Sequence, residues 1–247
     1  MHDGFFWAMA VFASVLVGLS KGGLPVVSLL AVPVLSLAVS PVMAAGVLLP
    51  VYVVSDMFGL YAYRRDYDLR VVVLVVSGAL VGVCIGWATA SFVSERAVTG
   101  LVGGIGLVFA CLLLRRPQGT PARKRAEVAP GLFWSTIAGF TSFVSHAGAP
   151  PFQVFVLPLG LPKAVFAGTA TISFAFVNAF KLIPYFALGQ LNPANLRAAA
   201  LLAVPAVLAV FAGVWLVRVL PEKLFFRLVT WALFAVSVKL IWDGVAG

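Results

Sequence analysis

Apolar segments follow one another almost from end to end of this chain, from roughly 5–19 and 24–39 through to 195–218 and 224–242. Several reach the ~20 residues that an α-helix needs to cross a bilayer, while others are too short to cross alone. With 62% hydrophobic and 10% charged residues among 247, and a mean hydropathy of +1.10, the chain lacks the polar surface of a soluble globule. It reads as an integral membrane protein. No strand-like alternation competes with the helical pattern, so the expected class is all-α rather than a β-barrel.

Two of these apolar runs carry the same polar interruption. Ser20-Lys21-Gly22-Gly23-Leu24-Pro25 breaks the first, and Ser145-His146-Ala147-Gly148-Ala149-Pro150 breaks its counterpart in the second half. A lysine or histidine beside helix-breaking glycine and proline is costly in hydrocarbon, so the duplication points to a paired site. Sliding one half over the other matches Lys21 with His146, Gly23 with Gly148, Pro25 with Pro150 and Pro33 with Pro158. Small shifts then match Gly46 with Gly168, Asp56 with Asn178, Arg70 with Arg197 and Gly86 with Gly213. The halves descend from one unit, which is the sequence pattern of a two-repeat transporter. Residues 1–114 form the first transmembrane repeat, 115–130 a basic, proline-bearing cytoplasmic linker, and 131–247 the second repeat.

Segment length and charge decide how the repeats face. Residues 5–19 and 24–39 would each rise only ~22–24 Å as helices, yet together they are too long for one upright span. A broken re-entrant pair, followed by three full crossings, fits both limits and makes the repeats inverted. With the linker inside, this leaves only Arg96, Arg197 and Lys239 as outer basic residues. A single crossing would make the repeats parallel and put Lys163, Arg218, Lys223 and Arg227 outside with Arg96, a poorer charge asymmetry. The net charge of +9 is thus read as membrane topology, and nucleic acid is not an expected partner. Cys84 and Cys111 have no metal-ligand spacing and read as packed thiols; no metal or cofactor site is expected. Met1-His2-Asp3-Gly4 lacks the basic region of a cleaved signal and reads as mature protein.

The chain resembles the sulfite exporter TauE/SafE family, the TSUP permeases, over nearly its whole length. The glycine-rich break after the first segment and the Ser145-His146-Ala147-Gly148-Ala149-Pro150-Pro151 stretch carry the likeness. Ala149 replaces a usual glycine, and Lys21 interrupts a run usually richer in glycine. The resemblance implies a secondary transporter of sulfite, organosulfonates or related small anions across the cytoplasmic (inner) membrane, working outward. Rival readings are an anion channel, a carrier of carboxylates or metal cations, and an intramembrane enzyme. No nucleophile–base pair, metalloprotease motif or cofactor fingerprint supports the enzyme.

The residues expected at a substrate site follow from the breaks. Lys21 either meets a passing anion near the midplane or snorkels to water from a shallower position. His146 either donates to the anion and takes up a coupling proton, or is a structural histidine bonded to a carbonyl. Gly22, Gly23 and Gly148 would let backbone N–H groups approach a ligand, and Pro150 suits the first turn of the half-helix that follows. Ser20, Ser145 and Gln153 offer neutral hydrogen bonds. Asp56, the one acidic residue deep in an apolar segment, pairs with Lys181 or Lys21 or serves as a proton carrier or gate, unless it lies solvated near Arg64 and Arg65. Its repeat partner Asn178 lies one turn from Lys181, and Thr169, Thr171 and Ser173 are candidates for the same path.

Overall fold

The structure, a computed structural model, describes residues 4–90, 92, 94–115 and 123–246. Arg116, Pro117, Gly119 and Pro121 of the linker, and the Met1-His2-Asp3 start, lie outside the described residues. Among the described residues the fold is all helical, with ten α-helices and no strand. Eight helices are long and apolar enough to cross a membrane: α1 (Gly4–Lys21), α3 (Pro41–Tyr63), α4 (Leu69–Thr89), α5 (Glu95–Arg115), α6 (Val128–Ser145), α8 (Lys163–Ala187), α9 (Pro193–Val219) and α10 (Glu222–Ala246). The protein is a multi-pass membrane protein. Two short helices, α2 (Ala31–Ser36) and α7 (Ala149–Val156), each follow a break.

Side chains satisfy the exposed N–H groups at several helix starts. Ser40 accepts from Met43 N at the start of α3, Asp68 from Val71 N at α4, and Asn192 from Asn195 N at α9. Each of those helices ends in a loop rather than running on into the next span. At the first break α1 stops at Lys21, Gly23 takes φ 113°, and Pro25 opens a 3₁₀ segment (Pro25–Leu30) leading into α2. At the second, α6 stops at Ser145 and the left-handed turn falls on His146, at φ 53°. Gly148 keeps an ordinary φ of −75°. Its lack of a side chain serves space instead, since a Cβ there would meet Ala138 O at 2.8 Å.

Both short helices fold back. α2 packs against α1 and α3, and Phe155 of α7 lies against Gly131 near the start of α6, where an added Cβ would meet the ring at 2.9 Å. Hydrophobic contrast cannot drive helices together in lipid, so close contact depends on small residues. α4 packs on α6 and, in the matching arrangement, α9 on α1. Gly78 faces Leu132 and Ser135 while Gly86 faces Phe140 and Phe143, so α4 and α6 run parallel. Gly18 faces Ala206 and Gly22 faces Gly213, so α1 and α9 do the same. The small-residue run of α5 pairs Gly100 with Gly244 and Gly103 with Ile241, which makes α5 and α10 antiparallel. α3 and α8 are also antiparallel: Asp56 meets Asn178, and Gly59 meets Thr171. Large apolar side chains such as Phe12, Phe211, Trp215 and Trp242 remain on the outer surface, as lipid allows. Cys84 corrects one expectation: it is exposed on α4 rather than packed, and Cys111 is half-buried.

Candidate functional site

The two breaks meet in the interior against α3 and α8. Lys21, at the end of α1, is 4% exposed, so its side chain does not snorkel to water. Its Nζ lies 2.8 Å from Asp56 Oδ1, and Asn178 Nδ2 donates to Asp56 Oδ2 at 2.8 Å. Asp56 therefore sits in the interior, paired with Lys21 rather than Lys181, and away from the exposed Arg64 and Arg65. A charged pair this deep depends on both members, because removing either would leave the other charged and buried.

Lys181, fully buried on α8, takes a different set of partners. Its Nζ donates to Ser142 O at 2.7 Å and lies 3.3 Å from His146 Nδ1. With Lys181 protonated, its ammonium donates into Nδ1 and the imidazole proton falls on Nε2, which lies 2.8 Å from Tyr185 Oη. In that form His146 is a neutral imidazole, held at both nitrogens. Its ring stacks on Tyr52 at 6.0 Å between centroids and 15° between planes. The other side of the same cluster has Lys21 Nζ 5.2 Å from the Tyr52 centroid. Tyr52 thus links Lys21 of the first break to His146 of the second through its ring.

A cavity of about 30 Å³ opens among these groups, lined by Ser20, Lys21, Pro25, Ser28, Tyr52, Ser142, His146, Gly148, Ala149, Ala170, Thr171, Phe174 and Asn178. That is room for about two water molecules, so only a compact solute fits without movement of the walls. A larger cavity of about 240 Å³ lies where α3 begins and α4 and α8 end, lined in part by Val42, Ala45, Ala90, Phe143, Leu188 and Gln190. His146 lines both cavities, and Tyr185 lines the larger one. The His146–Tyr185 contact therefore stands between them.

Of the residues expected from sequence, Ser20, Lys21, His146, Gly148 and Asn178 share the small cavity, and Asp56 and Lys181 stand behind its wall. Thr171 also lines it and donates to Lys21 O at 3.1 Å. The others are placed elsewhere or are otherwise bonded. Gly22 and Gly23 do not offer free amides, because Gly22 N donates to Gly18 O and Gly23 N to Ser20 O. Gly22 instead lets α1 approach Gly213 of α9, where an added Cβ would meet that Cα at 2.6 Å. Ser145 donates back to Thr141 O at 3.2 Å, and Pro150 lies in the first turn of α7, on its α5 side. Gln153 is fully buried with neither amide atom partnered among the described residues, but it does not line the small cavity. Thr169 accepts from Asp68 N at 2.9 Å, and Ser173 is buried off the cavity.

Sequence reasoning missed three tyrosines. Tyr52 has no repeat partner of its own kind. Tyr63 and Tyr185 do match each other, by the same shift that matches Asp56 with Asn178. Each bonds to the break of its own half: Tyr63 Oη donates to Gly22 O at 2.6 Å, and Tyr185 Oη meets His146.

A polytopic helical protein with two interrupted helices converging on a buried, cation-bearing cavity belongs to the class of membrane transporters. The family model described as "Sulfite exporter TauE/SafE" matches residues 7–240, and the chain belongs to that family, one of membrane transporters. No curated protein and no solved structure matches the chain.

Proposed function

We propose that the protein is a secondary transporter of small sulfur-containing anions, sulfite or organosulfonates, acting as an exporter in the cytoplasmic membrane by alternating access. The observation that carries this reading is the convergence of Lys21 and His146, from the two breaks, on one buried cavity. Among the described residues Lys21 and Lys181 outnumber the one buried carboxylate, so the site lowers the barrier to an anion in a low-dielectric interior. Ser20, Ser142, Thr171 and Asn178 add polar groups at the cavity wall for the oxygens of such a solute.

Two inverted repeats, 1–114 and 131–247 around a cytoplasmic linker, account for the helix pairings. Corresponding helices α3 and α8 are antiparallel, as are α5 and α10, and α1 packs on α9 as α6 does on α4. A twofold axis in the membrane plane produces this reciprocal arrangement. On that topology the 240 Å³ cavity opens outward, and the Tyr185–His146 contact closes the site on that side. Tyr63, its counterpart, closes the inner side through Gly22. Alternate release of the two contacts would expose one site to each face in turn, with Asp56 and His146 as candidate carriers of a coupling proton. A continuous pore is less well supported, because the His146–Tyr185 contact divides the two cavities.

Thermal unfolding of the purified protein across sulfite, taurine, sulfoacetate, sulfate and acetate tests the substrate class. A specific ligand at a hundred times its Kd adds about 2.7 kcal/mol to stability. A rise in Tm with sulfite or a sulfonate and none with acetate is expected; no rise with any sulfur anion would overturn the reading.

A further inference from the structure

Lys21, Asp56 and Lys181 are the buried charged side chains among the described residues, and all three belong to this one site. Lys21 and Asp56 form an ion pair at 2.8 Å. Lys181 stands directly behind the cavity wall, touching the wall residues Ser142 and His146. His146, receiving the Lys181 ammonium at Nδ1, adds no charge, and Asn178 faces Asp56 as a neutral amide. With Lys21 and Lys181 protonated and Asp56 ionised, the cluster carries one net positive charge in a buried setting.

We infer that this site selects singly charged over doubly charged sulfur oxyanions, and that Asp56 sets the charge it accepts. The inference rests on the anion-carrier reading above and narrows it. One negative charge brings the occupied cluster to neutrality. A second would leave an uncompensated charge buried, which a low-dielectric site opposes strongly. For sulfite the accepted form is the proton-bearing bisulfite, and for sulfonates it is those with no second ionised acid group. The Asp56–Asn178 pair makes the rule adjustable, because exchanging acid and amide between positions joined by a hydrogen bond relocates the charge without changing the sum.

Methanesulfonate and sulfate are suitable probes, since both are tetrahedral, have the same number of heavy atoms and differ by one charge. Their affinities for the full-length protein in nanodiscs would be measured by titration, with sulfite as reference. Wild type should prefer methanesulfonate by on the order of 10-fold or more, the scale of one unit charge at this separation in a partly polar interior. Asp56→Asn should move the ratio at least about 10-fold toward sulfate, and Asn178→Asp should weaken methanesulfonate by a similar factor. The double exchange Asp56→Asn/Asn178→Asp should return the wild-type preference, a recovery that a purely structural role for either residue would not produce. If Asp56→Asn does not fold, the Asn178→Asp and exchanged proteins decide. Equal or tighter binding of sulfate by wild type, or a ratio unmoved by both single substitutions, overturns the inference while leaving anion transport standing. Failure of sulfite and both probes to bind would overturn the anion reading itself, and the inference with it.

Discussion

Lys21 Nζ lies 2.8 Å from Asp56 Oδ1 inside the bundle, joining the end of α1 to the middle of α3. Lys21→Met leaves the carboxylate buried without its cation and should cost about 3–5 kcal/mol of stability. Adding Asp56→Asn removes the stranded charge and should restore most of that loss without restoring transport. Denaturation in detergent beside flux in vesicles checks both halves of the statement.

Tyr63 and Tyr185 should act as opposite latches. With Ser20→Cys in a background free of Cys84 and Cys111, a membrane-impermeant thiol reagent reports access to the cavity from each side. Tyr185→Phe should raise labelling from the outer face several-fold, and Tyr63→Phe should raise it from the inner face. The same change from both faces in either variant would contradict the latch assignment.

His146 holds a left-handed backbone at φ 53°, a conformation that costs ordinary residues about 1–2 kcal/mol and that asparagine tolerates. His146→Val should therefore lower the unfolding temperature more than His146→Asn does, while both abolish flux. Equal Tm values for the two variants would show that the break relaxes without its left-handed turn.

Gly22 separates two uses of a glycine. A Cβ there would meet Val210 O and Gly213 Cα, each at 2.6 Å, so Gly22→Ala should destabilise the α1–α9 contact by about 1–3 kcal/mol. Its substrate Kd, measured on the folded fraction, should remain near wild type. A large loss of affinity with unchanged stability would return Gly22 to the ligand.

The spans and both breaks were legible because apolar length and paired Gly/Pro punctuation are local properties of a sequence. Asp56 could be placed among two lysines but not assigned to one, because its partner depends on how α1, α3 and α8 cross. Those crossings are set by glycine contacts spread over distant residues. In the sequence Gly22 reads as a ligand-approach glycine, since a missing side chain admits a helix backbone as readily as an anion. The left-handed turn of the second break falls on His146, whose ring is held between Lys181 and Tyr185. Tyr63 and Tyr185 carried a usable signal, their match at the Asp56–Asn178 shift, but tyrosines near helix ends are easily taken for interface anchors.

Counterflow of radiolabelled sulfite in proteoliposomes tests the central claim most directly, comparing wild type with Lys21→Met/Asp56→Asn and His146→Asn reconstituted at equal folded yield. Wild type should show saturable, counter-substrate-dependent uptake, and both variants should lose at least nine-tenths of it, on the order of 10-fold. Undiminished sulfite flux through both would contradict that claim, because the cationic site where the two breaks meet would then not lie on the transport path.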